Sequence, residues 1–486
     1  MIRFILGHVL TIEAYLLLLP CVVSALYQEP QGMYFFGIAA LCFILGRLLS
    51  FKKPKNTVFY LKEGCVATSL SWILLSLMGC LPFWLSGEIP SFTDALFETV
   101  SGFTTTGASV LSDVEALSHC ALFWRSFTHW IGGMGVLVFL LAVIPLSGGS
   151  HINLMRAESP GPSVGKLVPR VHQTARILYL IYITLTVMEF LFLIAGKMPV
   201  FDAITTSFGT AGTGGFGIKN DSIAGYSPYI QWVVTVFMIL FGVNFNAFYL
   251  LIFGYLKKSF AMEEVRYYFL TILAAIAIIL PNTLSICSHY SDALRHTAFQ
   301  VASIITTTGF STMDFNHWSE TSRTVLVLLM FVGACAGSTG GGIKVSRFVI
   351  LLKSVKRELI SYIHPRSIHK LKMDGKPIEH EVTRSVNVYF ITFVLVFVAS
   401  LLLVSLENND LTTNFTAVAA TINNIGPGLE LVGPSRNFGF FTDFSKYVLM
   451  IDMLAGRLEL FPLLILFYPP MWKEMFERQQ HIHRGP

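Results

Sequence analysis

Four short turns rich in threonine and glycine recur along the chain. They read Thr-Thr-Thr-Gly at residues 104–107, Gly-Thr-Gly-Gly at 212–215, Thr-Thr-Thr-Gly at 306–309 and Asn-Asn-Ile-Gly at 423–426. Carbonyl oxygens of an extended Thr-Gly backbone can replace the hydration shell of a monovalent cation, and glycine permits the backbone angles that turn them inward. One Thr-Thr-Gly alone is ordinary turn chemistry. Four copies in similar surroundings predict an ion filter.

Each turn follows a short, mostly apolar segment that is too short to cross a hydrocarbon core of about 30 Å. We expect these segments to be re-entrant half-helices, whose negative C-terminal ends face the turns and favour a cation. Non-helical backbone at membrane depth is tolerated only where it is buried in protein or lines water, so the four turns need a common aqueous path. The short segments are 90–103, 201–208, 292–305 and 411–422.

The composition predicts an integral membrane protein, because 53% of the residues are hydrophobic and only 13% are charged, against about 25% charged in soluble domains. We predict an all-α fold with ten transmembrane helices: two at 2–26 and 33–50, then an outer and an inner helix in each of four modules. The outer helices are 65–85, 177–195, 267–286 and 388–406. The inner helices are 123–145, 232–255, 324–352 with an interruption, and 447–468.

The predicted organisation is two N-terminal helices followed by four pseudo-repeated pore modules. Lysine and arginine concentrate in alternate loops, which places both termini in the cytoplasm. The polar, basic stretch 361–382 is either a surface hairpin or an ordinary positively charged loop. The predicted divisions are 1–62, 63–175, 176–264, 265–383 and 384–486.

A glycine-rich stretch at 333–342 interrupts the third inner helix. Each glycine costs about 1 kcal/mol relative to alanine in a helix, so we predict a flexible loop that obstructs the pore; a structural hinge for close helix packing is the alternative. A Walker phosphate loop is excluded, because Gly342-Ile343-Lys344 lacks the required ending. The gate residues predicted here are Gly337, Ser338, Thr339, Gly340, Gly341, Gly342 and Lys344.

Arg457 lies within the fourth inner helix, and an arginine at that depth costs several kcal/mol unless it faces water or a partner. We therefore predict that it belongs to the gate. The alternative is a structural ion pair with Glu459 or Asp452, which the sequence spacing disfavours within one helix. For His129 and Glu189 we favour buried, hydrogen-bonded structural roles.

Two of the turns carry a resemblance to a known family. Phe-Gln-Val-Ala-Ser at 299–303, leading into 306–311, resembles the third pore loop of the Trk/Ktr/HKT superfamily of potassium transporters. Asn-Ile-Gly-Pro-Gly at 424–428 resembles the fourth. The similarity covers nearly the whole chain, and the two extra N-terminal helices resemble the bacterial TrkH branch.

The resemblance implies potassium uptake through a channel-like pore, with selectivity glycines at Gly107, Gly215, Gly309 and Gly426. Members with serine at the first of these positions are associated with sodium, so four glycines imply a potassium preference. The gating loop and an arginine barrier at Arg457 are likewise implied. The potassium-binding positions would be Thr105, Thr106, Thr213, Gly214, Thr307, Thr308, Asn424 and Ile425.

The resemblance also implies a homodimer in membrane lipid and a cytosolic, nucleotide-binding (TrkA-like) regulatory subunit docked on the basic loops. Potassium is the expected ion, with no organic cofactor in this chain and no nucleic acid. Three alternatives stay open: a sodium or poorly selective cation pathway, an ion-coupled symporter with Glu189 as coupling carboxylate, and a polytopic membrane enzyme. The enzyme is disfavoured because acidic residues, histidines and cysteines in the membrane segments are isolated.

Overall fold

A computed structural model describes residues 1–52, 60–135, 171–366 and 370–474, and their regular structure is almost entirely helical. Within these ranges six helical spans have the length and composition to cross a membrane, or seven if a bent helix pair counts as one. They are Ile2–Tyr27, Gly32–Ser50, Leu61–Leu85, Arg176–Ala195, Glu263–Thr283 and His380–Glu407, and the bent pair is Pro228–Phe241 with Phe245–Ile252.

The N-terminal hairpin consists of helices Ile2–Leu16 and Leu18–Tyr27, which form one span, packed along Gly32–Ser50. Gly7 and Gly46 bring the two backbones together, since a Cβ on Gly7 would lie 2.7 Å from the carbonyl oxygen of Gly46. Small residues at such crossings allow close packing of membrane helices.

Each glycine turn lies between a short helix and an inner helix, and an outer helix precedes each short one. The outer helices are Leu61–Leu85, Val171–Ala195, Glu263–Thr283 and His380–Val404. The short helices are Phe92–Phe103, Val200–Gly212, Tyr290–Ile305 and Leu411–Ile422. The inner helices are His119–Met134, Pro228–Phe241 with Phe245–Ile252, Glu320–Phe331 with Val345–Ile363, and Asp443–Arg457.

Side-chain caps fix where several of these helices begin. Ser118, Ser227 and Ser319 precede the first three inner helices, and each accepts a hydrogen bond from a backbone N–H three residues later. Asp410 does the same for the fourth short helix, 2.8 Å from the N–H of Thr413. These caps satisfy donors that the first turn of a helix leaves unpaired.

Two inner helices differ from the prediction. The continuous helix at 232–255 is wrong, because the chain bends by 93° between Phe241 and Phe245, where Asn244 caps the N–H of Asn246 at 2.9 Å.

The continuous helix at 447–468 is also wrong. It ends at Arg457, and Glu459 and Leu460 then adopt positive φ angles of 58° and 68°, which non-glycine residues rarely take. The end predicted for the first inner helix, 136–145, lies outside the described residues.

The stretch 361–382 contains the predicted surface hairpin, in which Lys372–Met373 pairs antiparallel with Lys376–Pro377. Its tip is attached to the third outer helix, because Asp374 accepts the N–H of Glu263 at 2.7 Å. Lys353 contacts both the third outer helix and the hairpin: it forms an ion pair with Glu263 and donates to the carbonyl of Lys372 at 2.7 Å.

Candidate functional site: four glycine turns and the loop beneath them

The four turns share one backbone conformation despite their different sequences. The second residue of each is left-handed, with φ of 55° at Thr105, 53° at Thr213, 58° at Thr307 and 55° at Asn424. The closing glycines also have positive φ, a region that L side chains disfavour. These angles are 78° at Gly107, 76° at Gly215, 85° at Gly309 and 97° at Gly426.

Contacts between the turns close them into a ring. A Cβ added to the glycine of any turn would strike the residue that precedes the glycine of the next turn, and the series returns from turn 4 to turn 1. The pairs are Gly107 with the carbonyl of Gly214, Gly215 with that of Thr308, Gly309 with that of Ile425, and Gly426 with that of Thr106. The four turns therefore surround one axis, and no side chain fits at the four glycines without displacing a carbonyl.

Hydrogen bonds behind the ring hold the threonine turns in shape. The hydroxyls of Thr104 and Thr106 lie 2.8 Å apart, and Thr104 donates to the carbonyl of Val100 at 2.7 Å. Turn 3 repeats both bonds at the matching residues. Asn424 in turn 4 donates to the hydroxyl of Thr106 at 2.9 Å, which joins turn 4 to turn 1.

A buried ion pair, which was not predicted from the sequence, joins turns 1 and 2. Arg125 Nε lies 2.5 Å from Glu98 Oε1, and the two side chains are only 3% and 0% exposed. Glu98 also accepts the N–H of Val110 at 3.1 Å, and Arg125 donates to the carbonyl of Gly217 at 2.7 Å. The sequence did contain a signal for this pair. Glu98 and Arg125 are charged residues within apolar segments, the same feature that singled out Arg457.

The other pairs of neighbouring turns are also joined by polar contacts between their modules. Between turns 2 and 3, Arg295 donates to Gln231 at 2.8 Å. Between turns 4 and 1, Lys446 pairs with Asp94 at 2.6 Å. Between turns 3 and 4, the more exposed Arg323 and Glu430 form an ion pair.

The glycine-rich loop, residues 332–344, is bonded to the bend of the second inner helix. The N–H of Cys335 donates to the carbonyl of Gly242 at 3.0 Å, and the N–H of Phe245 donates to that of Gly337 at 3.0 Å. The helix bend and the loop thus satisfy each other's backbone groups, which an interrupted helix would otherwise leave unpaired.

The loop lies directly against the ring, on the side where the short helices end; we call this side "beneath" the ring. The N–H of Gly341 donates to the hydroxyl of Thr307 at 2.6 Å. A Cβ on Gly341 would lie 2.6 Å from the carbonyl oxygen of Asn423, and one on Gly340 would lie 3.0 Å from that of Thr306. Glycine is therefore required for the close approach of the loop to turns 3 and 4.

Arg457 connects this loop to the first inner helix. Its guanidinium donates to the carbonyls of Thr339 at 3.0 Å and Gly133 at 2.8 Å, and also to that of Gly132. Lys344, which is buried, donates to the carbonyls of Gly340 and Gly341. Two cations therefore lie beneath the ring.

The two carboxylates considered as partners of Arg457 have other contacts. Glu459 forms an ion pair with Arg347, and Asp452 accepts a hydrogen bond from the hydroxyl of Ser400 at 2.6 Å.

A cavity of about 80 Å³ lies beside the two cations, between the glycine-rich loop and the ends of the first and fourth inner helices. Its lining includes Trp72, Gly133, Phe245, Ser338, Lys344, Arg457 and Glu459.

Glu264 links the glycine-rich loop to the helix that follows it, a role that was not predicted from the sequence. Its carboxylate accepts the N–H of Ala336 at 2.6 Å and the N–H of Ser346 at 3.2 Å. Asn244, at the helix bend, also donates to it at 3.3 Å. One side chain at the start of the third outer helix therefore bonds the loop, the helix after it and the bend of the second inner helix.

His129 and Glu189 are both fully buried. His129 is hydrogen-bonded between turns 1 and 2, with Nδ1 2.8 Å from the carbonyl oxygen of Gly102 and Nε2 3.2 Å from the backbone nitrogen of Phe216. The burial and the hydrogen bonding expected for His129 are thus observed. Glu189 lies on the second outer helix, beside Thr210 of the second short helix.

Comparison with known proteins identifies the family. The family model TrkH, described as cation transport protein, matches residues 31–478. The chain belongs to the TrkH family. The resemblance seen in the third and fourth turns is thereby confirmed over nearly the full length.

Similar proteins span the whole chain. The Trk system potassium uptake protein TrkH of Salmonella typhimurium is 35% identical over 479 residues, which cover 97% of this chain and 98% of that protein. TrkG of Escherichia coli K12 is 34% identical, covering 96% and 97%. The crystal structure of the potassium transporter TrkH from Vibrio parahaemolyticus matches with a TM-score of 0.87 at 33% identity, covering 97% of this chain and 99% of that one.

Proposed function

We propose that this chain is the membrane subunit of a potassium uptake system and passes potassium inward through a pore between its four modules. The observation that carries the proposal is the closed ring of glycine turns, in which each glycine lies against a carbonyl of the next turn. The names of its full-length relatives support potassium as the ion.

In this proposal the ring is the selectivity filter, and its carbonyl oxygens replace the hydration shell of the ion. Each short helix ends at a turn, so the negative ends of four helix dipoles favour a cation there. The ion-binding residues proposed are Thr105, Thr106, Thr213, Gly214, Thr307, Thr308, Asn424 and Ile425, with Gly107, Gly215, Gly309 and Gly426 closing the ring.

The gate in this proposal is the glycine-rich loop together with Arg457. Support comes from the bond between Gly341 and Thr307, which holds the loop against the filter. Arg457 bridges the loop and the first inner helix, so its positive charge opposes cations while the loop is in place. Opening requires the loop to leave the ring.

The chain is proposed to cross the inner membrane ten times, with both termini in the cytoplasm. Its divisions are the two N-terminal helices and the four pore modules, at 1–62, 63–175, 176–264, 265–383 and 384–486. A homodimer and a cytosolic nucleotide-binding (TrkA-like) subunit complete the system. The basic hairpin region 361–382 is the proposed docking surface, because Lys353 and Asp374 attach it to helices that adjoin the gating loop.

The filter is tested by potassium and sodium flux into proteoliposomes, comparing wild type with Gly107→Ser. Serine at φ 78° must displace the carbonyl of Gly214, so we expect loss of about tenfold or more in the potassium-to-sodium flux ratio, equivalent to about 1.4 kcal/mol. Gly87→Ser is the matched control, because Gly87 has the same φ of 78° with nothing within 4 Å of its Cβ position. Equal behaviour of both variants, or wild type without potassium flux, would overturn the proposal.

The gate is tested by the same flux assay on Arg457→Ala. We expect several-fold faster potassium uptake with an unchanged flux ratio, because the barrier is lowered while the ring is intact. Arg457→Lys keeps the charge and should stay closer to wild type. A slower or unselective Arg457→Ala would argue against the barrier role.

A further inference from the structure

Turn 2 lacks the threonine pair found in turns 1 and 3. In turn 1 the hydroxyls of Thr104 and Thr106 lie 2.8 Å apart, and the same pair in turn 3 has the same separation. Turn 2 has glycine at both positions, Gly212 and Gly214. Its left-handed second residue and its closing glycine nevertheless match the other turns. Another group must therefore support this turn.

The side chain of His129 occupies that space. A Cβ on Gly214 would collide with Cγ and Nδ1 of the imidazole, and a Cβ on Gly212 would collide with the backbone carbonyl of His129. The φ of Gly214 is not positive, so its backbone conformation does not require glycine. Glycine is required at this position because the imidazole ring leaves no room for a side chain.

Both imidazole nitrogens are used. Nε2 lies 3.2 Å from the nitrogen of Phe216, which can only donate, so Nε2 accepts that bond. Nδ1 then carries the proton and donates to the carbonyl of Gly102, 2.8 Å away. One neutral ring thus connects the end of the first short helix to the residue that follows the closing glycine of turn 2.

We propose that His129 is a positioning residue of the filter, which does for turn 2 what the threonine pair does for turns 1 and 3. The carbonyl that it places is that of Gly214, which lies against Gly107 in the ring. His129 thereby sets the ratio of potassium to sodium flux without touching the ion. This inference rests on the proposed function of the ring as a potassium filter.

The test is a double-mutant cycle on the flux ratio in proteoliposomes, with Gly214→Ala, His129→Ala and the double variant. Gly214→Ala drives a methyl group into the imidazole, and His129→Ala leaves the N–H of Phe216 without its acceptor. Each should lower the ratio by about tenfold. In the double variant the methyl enters the space that the ring leaves, so the ratio should exceed that of Gly214→Ala alone.

A matched control is Gly215→Ala, alone and with His129→Ala. Gly215 has a φ of 76° and lies against the carbonyl of Thr308, so removal of the imidazole should not rescue it. His129→Gln retains amide groups that can reach the same partners and should keep more discrimination than His129→Ala. A residue that merely fills space would not show this order.

The outcomes separate the two proposals. If wild type does not discriminate potassium from sodium, the filter itself is wrong. If wild type discriminates but the losses in flux ratio of Gly214→Ala and His129→Ala multiply in the double variant, the role of His129 is wrong. It is also wrong if His129→Ala rescues Gly215→Ala as well as it rescues Gly214→Ala. If Gly214→Ala gives no folded protein, the rescue is scored by folding. A folded, monodisperse double variant then supports the inference, and a double variant that also fails to fold contradicts it.

Discussion

In the ring, four turns of different sequence adopt one backbone, whereas beneath it the four inner helices end in different ways. The closing glycines have φ between 76° and 97°. Beneath them, the first described inner segment ends at Met134, the second bends by 93°, the third becomes the loop 332–344, and the fourth ends at Arg457. The four modules thus match most closely in the layer of the turns, whereas the segments beneath that layer differ.

The two layers therefore differ in how much asymmetry the chain tolerates. The proposed filter needs equal geometry from each carbonyl, because an ion on the axis would contact all four of them. The proposed gate needs one movable part, and among the described residues the third module supplies it as a glycine-rich loop. The ring is fixed by buried bonds such as that between Arg125 and Glu98, whereas the loop is held by hydrogen bonds to Glu264 and Arg457. We therefore expect ring changes to affect selectivity and stability, and loop changes to affect flux.

The largest effect is expected at the buried pair beside the ring. Glu98→Ala leaves Arg125 buried without its counter-charge, which costs about 3–5 kcal/mol. The free energy of unfolding in detergent should fall by that amount, and the flux ratio should fall with it. Replacing both members by apolar residues of similar size should cost less than Glu98→Ala. A loss below about 1 kcal/mol, as for exposed pairs, would remove the distinction between a fixed ring and a movable loop.

An intermediate effect is expected at Glu264. Glu264→Ala leaves the buried N–H groups of Ala336 and Ser346 without an acceptor, at about 1–1.5 kcal/mol each, because these donors, unlike Arg125, carry no charge. Because this weakens the attachment of the loop and not the ring, potassium flux should rise while the flux ratio stays at the wild-type value. Glu263→Ala is the control, since the neighbouring carboxylate pairs with Lys353 away from the ring. Reduced selectivity in Glu264→Ala would show that loop and ring are not separate.

The smallest effect is expected at the exposed contact between turns 3 and 4. Arg323 and Glu430 are 14% and 45% exposed, so Arg323→Gln should cost about 0–1 kcal/mol of unfolding free energy. Flux and flux ratio should remain near wild type. A loss comparable to that of Glu98→Ala would mean that burial does not decide which contacts fix the ring.

The sequence was sufficient to locate the four turns and the short helices, because threonine, glycine and helix length are local signals. It was also sufficient for the interruption at 332–344, where glycines cluster. It did not reveal that the fourth inner helix ends at Arg457, since the positive φ of Glu459 and Leu460 has no local signature. The cap at Asn244 was a local signal within an apolar run, and it was overlooked.

Contacts between distant parts of the chain were not predictable. Gly214 looked like an imperfect repeat of a threonine, and only its packing against His129 explains the glycine. Glu264 lies at the start of an outer helix, where an acidic residue suits the helix dipole, so nothing marked it as an acceptor for the loop. Such roles depend on tertiary neighbours that spacing along one chain does not encode.

Binding of potassium by the glycine turns on their common axis is tested most directly by anomalous diffraction from crystals in which rubidium replaces potassium. Rubidium is a close chemical substitute with a strong anomalous signal. We predict anomalous density inside the ring, bounded by the carbonyls of Thr106, Gly214, Thr308 and Ile425, and its loss in Gly107→Ser. Rubidium density found only elsewhere in the protein, or unchanged in Gly107→Ser, would contradict it.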